Sequence, residues 1–221
     1  MELIGKGRDA DVYALDDARV LRRYRAGGST DDEARLMEYL AGHGFPVPTV
    51  HDSDGADIVL DRLRGPTMTK AATSRPWLVA RHGRVLADLH NRLHRIPAPG
   101  WLRGHGESGD RVLHLDLHPD NVMLTPDGPV VIDWRTARAG DPGVDVAAVL
   151  VLFKVMRPPV PWYLQGPIAL AKAPLLAAFL TKVEDEPRDE HIHTVLGQKL
   201  HDPNLSPAER ARLRDWWERM A

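Results

Sequence analysis

The stretch His114-Leu115-Asp116-Leu117-His118-Pro119-Asp120-Asn121, followed by Val131-Ile132-Asp133-Trp134, decides how the rest of this chain is read. Asn121 lies five positions after Asp116, and Asp133 twelve positions after Asn121. Between them, Thr125-Pro126-Asp127-Gly128-Pro129 is a turn signal flanked by strand-like Asn121–Leu124 and Val130–Asp133. A tight return there brings Asp133 back beside Asn121. Three oxygen-bearing side chains in this order suit phosphoryl transfer: Asp116 accepts a hydroxyl proton, while Asn121 and Asp133 hold Mg²⁺ against the phosphates. Hard oxygen ligands fit Mg²⁺, which keeps several waters and shares substrate phosphates. Asp and Asn are also ordinary turn formers, so the joint spacing carries the reading rather than any one residue.

Around this segment lies a chain of 221 residues, 43% hydrophobic with 18 Gly, a globular composition with enough length to bury a sizeable core. Size alone allows one large domain or two small ones. A net charge of −2 argues against a general nucleic-acid binder. The absence of Cys excludes disulfides, thiolate nucleophiles and Cys-ligated metals. The start carries no apolar stretch of signal-peptide length, and the longest clean apolar run, Val146–Phe153, is far below the ~18 residues of a membrane span. A soluble cytoplasmic protein with no membrane partner is the expectation.

The first sixty residues read mostly as strand. Ala10–Leu15 and Arg19–Tyr24 alternate around Asp16-Asp17, short strands are expected near Thr49–His51 and at Asp57–Leu60, and one helix with a cap at Thr30 or Asp31 runs to Gly42/Gly44. After the linker-like Arg62-Leu63-Arg64-Gly65-Pro66 the pattern turns helical. Leu78 to Ile96 marks one helix, Val144–Met156 a buried one stopped by Pro158, Pro159 and Pro161, and Ile168–Val183 another with a kink at Pro174. Ser206-Pro207-Ala208-Glu209 opens the last helix with a capping box, and Trp216 and Trp217 are expected to pack it against the body.

The segment resembles the signature H-G-D-x-H-x-x-N followed by I-D-W/F of the aminoglycoside phosphotransferases and the choline-kinase-like enzymes. Ala139-Gly140-Asp141-Pro142-Gly143-Val144-Asp145-Val146-Ala147 is similar to their G-D-P-x-x-D-L-A stretch, and Leu86-Ala87-Asp88-Leu89-His90 to their L-A-x-L-H. The family usually has Gly where this chain has Leu115. The resemblance implies an α+β, two-lobed protein-kinase-like fold, with a small β-rich N-terminal lobe over 1–63 and a mainly helical C-terminal lobe over 64–221. It also implies ATP and Mg²⁺ as cofactors. The acceptor would be a small-molecule hydroxyl on an aminoglycoside-like antibiotic, an amino alcohol or a sugar.

Gly5-Lys6-Gly7-Arg8-Asp9-Ala10-Asp11-Val12 resembles the family's G-x-G-x-x-G-x-V phosphate cover, with Gly5 and Gly7 in place and Ala10 for the third Gly. The third strand lacks the family's Lys and offers Arg22 and Arg23. Arg22 shares a strand face with Val20, so it is favoured as the phosphate cation. Glu33 is its expected partner, with Glu38 as the alternative. Leu60-Asp61-Arg62-Leu63 resembles the interlobe hinge, where the backbone of Asp61 and Leu63 would hydrogen-bond adenine. Asp145 is expected to support the catalytic loop. The missing Lys also leaves open a nucleotide-binding pseudokinase, and His114, Asp116 and His118 a metal-dependent hydrolase. His90/His94 and His191/His193 read as solvated or capping histidines. The acidic run Glu184–Glu190 is either a face for a polyamine or a solvated loop. Oligomeric state is not legible in the sequence.

Overall fold

Apolar–polar alternation over the first sixty positions builds a five-stranded antiparallel sheet in the computed structural model, which describes every residue except 8, 106–108, 156–171, 203–204 and 221. In chain order the elements are β1 (Glu2–Lys6), β2 (Ala10–Ala14), β3 (Arg19–Tyr24), α1 (Asp31–Gly42), β4 (Val50–Asp54), β5 (Asp57–Asp61), α2 (Met68–Ser74), α3 (Val79–Leu93), β6 (Arg111–Leu113), β7 (Val122–Thr125), β8 (Gly128–Val131), β9 (Arg138–Gly140), α4 (Pro142–Val155), α5 (172–180), α6 (Asp189–Leu200) and α7 (Pro207–Met220). They form two compact units: Met1–Met68 with Asp120–Thr136, and Thr69–Pro119 with Ala137–Ala221.

In the first unit the sheet order is β1-β2-β3-β5-β4. The Asp16-Asp17 turn forms because Asp16 Oδ1 accepts the backbone N–H groups of Ala18 (2.8 Å) and Arg19 (2.7 Å). Helix α1 buries Ala34, Leu36, Met37 and Leu40. Thr30 is its N-cap residue, but the Thr30 hydroxyl donates to Asp57 O (2.9 Å), and Ser29 Oγ accepts the Asp31 N–H (3.1 Å). The expected hairpin is present and tighter than the sequence implies. β7 and β8 pair from Val122↔Val131 to Thr125↔Gly128, leaving Pro126-Asp127 as the loop. Thr125 Oγ1 donates to Gly128 O (2.8 Å) and closes that turn. The stretch after the hinge docks on this hairpin, since Leu124 N–H donates to Pro66 O (2.9 Å) and Thr67 bridges Met123. Gly65, at φ +146°, makes the approach possible, because a Cβ there would lie 2.1 Å from Leu124 O.

In the second unit α4 is buried on nearly every face, as its unbroken apolar run requires. Val144, Ala147, Val151 and Val155 pack with Leu113 of β6, Val195 and Leu196 of α6, and Leu213 of α7. Trp216 and Trp217 pack half-buried against this core. The capping box opening α7 forms: Ser206 Oγ donates to Glu209 Oε2 (2.6 Å), and Glu209 N–H donates to Ser206 Oγ (3.3 Å). Met156, the three prolines after it and residues 168–171 of the helix expected from Ile168 lie outside the described residues. No helix among the described residues is long and apolar enough to cross a membrane.

Candidate active site

Strand register turns Arg22 inward and Arg23 outward. Arg22 is paired across the sheet with Val12 and Ile58, its side chain is 13% exposed, and it reaches two carboxylates. Nη1 donates to Glu33 Oε1 (3.0 Å), and Nη2 donates to Asp133 Oδ1 (2.5 Å). Arg23 is half exposed and pairs with Asp57. Glu38 is exposed, so Glu33 is the partner in this structure. Glu33 gathers two further donors, the Tyr24 hydroxyl (2.6 Å) and the Trp134 N–H (3.1 Å). The Tyr24 ring lies between the guanidinium groups of Arg22 (4.7 Å) and Arg135 (4.2 Å). Burial works against the Arg22 charge, but Glu33 and Asp133 outweigh it and hold the group more firmly protonated than a free arginine. Burial and then Glu33 push the Tyr24 hydroxyl up, so it remains a donor.

The hairpin carries Asn121 and Asp133 to the same end, where Ile132 N–H donates to Asn121 O (3.0 Å). Asp133 has φ +70°, which turns its side chain out of the strand direction toward Arg22. Two hard oxygen side chains at the base of one hairpin suit Mg²⁺. Gly5 falls within β1 at a register shift rather than in a loop. The turn proper begins at Gly7, whose N–H donates to Ala10 O (2.8 Å). At the hinge, Asp61 N–H is committed to Thr49 O (3.1 Å), and the Asp61 carboxylate accepts from Thr49 N–H and meets His51 Nε2 (2.7 Å).

In the second unit, the backbone of the His114–Leu115 stretch is hung on one buried carboxylate. His114 N–H donates to Asp145 Oδ2 (2.8 Å) and Leu115 N–H to Asp145 Oδ1 (2.5 Å). This holds Leu115 at φ +64°, in the left-handed region that glycine occupies at least cost. His114 is fully buried, and its Nδ1 accepts the Asp116 N–H (3.3 Å). His94 lies between Asp185 (Nδ1, 2.7 Å) and Asp145 (Nε2, 3.3 Å). Burial opposes charge on His94, yet the hydrogen bonds to Asp145 and Asp185 prevail and push its pKa up to about 9. Burial likewise opposes charge on Asp145, and His94 prevails, pulling it down to about 2. Asp116 is raised by burial but lowered further by His118 (3.5 Å), Lys199 (3.7 Å) and His114, to about 2.

The sequence profile of the Phosphotransferase enzyme family matches residues 1–107 and 92–171. The chain belongs to this family. Its fold is that of the protein-kinase-like phosphotransferases. It is similar to a choline/ethanolamine kinase family protein from Mesorhizobium loti at a TM-score of 0.60 and 17% identity, over 99% of this chain and 86% of that one. It is also similar to a thermostable mutant of an aminoglycoside phosphotransferase in ternary complex with AMP-PNP and hygromycin B, at a TM-score of 0.59 and 15% identity, over 99% and 92%. Streptomycin 6-kinase of Streptomyces griseus is 29% identical over 143 residues, which cover 48% of this chain and 45% of that kinase. The match thus spans about half the length of that curated relative.

For a member of the phosphotransferase family, several of this chain's participants were not legible. Tyr24 shares the β3 face with Arg22, so a strand-phase reading had a signal for it. The Trp134 N–H and Lys199 left none, because one is backbone and the other reaches Asp116 from a distant helix. The histidine reading needs correction. His90 and His94 are not solvated but core residues, at 0% and 5% exposure, with rings 5.6 Å apart. They fit there because His94 is flanked by carboxylates and His90 packs edge-on against Phe179. His191 is also buried, in a capping box with Arg188. Among the described residues no three His, Asp or Glu side chains converge as a metal-binding group, His114, Asp116 and His118 included.

Proposed function

We propose that this chain is an ATP- and Mg²⁺-dependent phosphotransferase acting on a hydroxyl of a small molecule. The observation that carries the reading is the Arg22 pairing: a buried cation on the central strand meets a helix carboxylate, Glu33, and the hairpin carboxylate, Asp133. That arrangement supplies the phosphate-binding charge that the missing third-strand Lys would otherwise supply, and so favours the enzyme over the pseudokinase alternative. Asn121 and Asp133 would hold Mg²⁺, which would supply positive charge against the phosphates. Arg22 would release Asp133 and fork onto the phosphates, with Glu33 keeping it oriented. The turn from Gly5 to Ala10 would cover the phosphates with backbone N–H groups. Leu63 would meet adenine through its N–H, and Asp61 through its carbonyl, since the Asp61 N–H is already used.

Asp116 would accept the hydroxyl of the acceptor. A carboxyl group held near 2 is ionised throughout the neutral range and is a weak base, so its first contribution is orientation. The acceptor oxygen bonds to the γ-phosphorus as the bond from that phosphorus to the β–γ bridging oxygen breaks. ADP departs with that oxygen, and the hydroxyl proton passes to Asp116 and then to water. Calorimetric titration tests the reading. Wild type is expected to bind ATP with Mg²⁺-dependent affinity, Asp133→Asn to lose that dependence, and Asp116→Asn to keep it. Equal affinity with and without Mg²⁺ in wild type and Asp133→Asn alike would sink the assignment.

A further inference from the structure

We infer that the acceptor is a hydroxyl-bearing organic anion and that Lys199 selects it; this rests on the phosphotransferase reading of Asp116. Beside the catalytic loop the second unit carries a shallow depression that opens to solvent. Leu115, Val149 and Leu152 form its apolar side, and Asp116, His118 and Lys199 its polar side. Lys199 Nζ stands 3.7 Å from Asp116 Oδ1, too far for a strong hydrogen bond, and an ammonium has three donors to share. An acceptor hydroxyl held by Asp116 would therefore present its neighbouring atoms to a fixed positive charge. On the side of Nζ away from Asp116, where the carboxylate offsets the ammonium least, a carboxylate or phosphate is attracted and an ammonium repelled.

The acidic run Glu184–Glu190 is partly taken up by cations of the same unit. Three of the five acidic side chains in Glu184–Glu190 are committed: Glu184 to Arg95 (2.7 Å), Asp185 to His94 (2.7 Å) and Glu190 to Arg188 (2.7 Å). Those three carboxylates therefore serve internal pairing. An acceptor matched to the depression has an apolar body, a hydroxyl and an anionic group a few atoms from it.

The test uses the full chain with ATP, Mg²⁺ and three acceptor sets of similar size: hydroxycarboxylic and sugar acids, neutral polyols and sugars, and amino alcohols together with streptomycin. Phosphorylated product is read by ³¹P NMR and ranked by kcat/KM. The acid set is expected to lead by at least tenfold. Lys199→Gln should raise KM for the leading acid at least tenfold with a smaller change in kcat, Lys199→Arg should restore it, and Lys199→Glu should erase the preference. A leading amine or neutral acceptor, no product from any acid, or an unchanged KM in Lys199→Gln would overturn the proposal. Failure of wild type to bind Mg·ATP would instead overturn the parent reading.

Discussion

Among the described residues each unit drives one non-glycine residue into left-handed backbone, Asp133 in the first and Leu115 in the second, but the two bends are secured in different ways. At Asp133 the strained residue stabilises itself. Aspartate tolerates this region better than most side chains, its carboxylate takes the Arg22 guanidinium, and the next N–H goes to Glu33. Leucine has no such means. Leu115 is held by a carboxylate from helix α4, through its own N–H and that of His114. The first device rests on a side-chain contact that phosphate or metal would replace, whereas the second is built of buried backbone hydrogen bonds that no ligand exchanges. A carboxylate expected to ligate metal is thus kept releasable, and the strand leading to the expected base is kept fixed.

The largest way to break this comparison is Asp145→Asn. An amide cannot accept both N–H groups and still face His94, so unfolding free energy in urea should fall by about 3–5 kcal/mol. A loss under about 1 kcal/mol would mean that the clamp does not carry the Leu115 bend. Next comes Arg22→Ala against Arg23→Ala. Removing Arg22 strands Glu33 with two neutral donors and should lower stability by about 2–3 kcal/mol, whereas removing the half-exposed Arg23 should change it by less than about 0.5 kcal/mol. Thermal melts of the two variants side by side decide this.

The histidines of the second unit sharpen the contrast through pH. His94 is raised to about 9, so its contribution is complete below the unfolded value of 6.5 and is lost as pH rises from there toward 9. Burial lowers His90 to about 4, despite the attraction of Asp145, so stability also falls as pH drops from 6.5 toward 4. Asp145, lowered to about 2, adds a further loss as pH drops below 3.8. Stability should therefore peak near pH 6.5, and His94→Gln should remove the alkaline limb, on the order of 3 kcal/mol, and should also make the acid limb shallower, because Asp145 loses the partner that lowers it. An alkaline limb as steep as that of wild type would exclude His94 as its source. A small effect, and the one stabilising change, is expected from Leu115→Gly. Relief of about 1–2 kcal/mol of strain is partly offset by about 0.5–1 kcal/mol of extra chain entropy, leaving a gain of about 0–1 kcal/mol.

These contrasts also show what sequence can carry. The hairpin between Asn121 and Asp133, the β3 register that separates Arg22 from Arg23, and the Ser206–Glu209 cap were all legible, because each depends on residues within one turn or one strand period. The extent of the phosphate-cover turn was not, since Gly5 continues a strand whose partner fixes its register. Lys199 at Asp116 and Asp185 at His94 join residues far apart in the chain, and no local pattern marks such meetings. The burial of His90 and His94 is not legible, because an i, i+4 pair with no third ligand of a metal frame reads as solvated or capping, while their neighbours Asp145, Asp185 and Phe179 make a buried site tenable.

Gly65 shows how inheritance and chemistry come apart in this molecule. A side chain at this position would run into the Leu124 carbonyl of the hairpin that carries Asn121 and Asp133. In a saturation library sorted for folded protein, codon 65 should tolerate almost nothing, although glycine has no side chain to offer a substrate. Read without coordinates, such a column would be taken for a reacting residue. What it records is the clearance that lets one backbone lie against another.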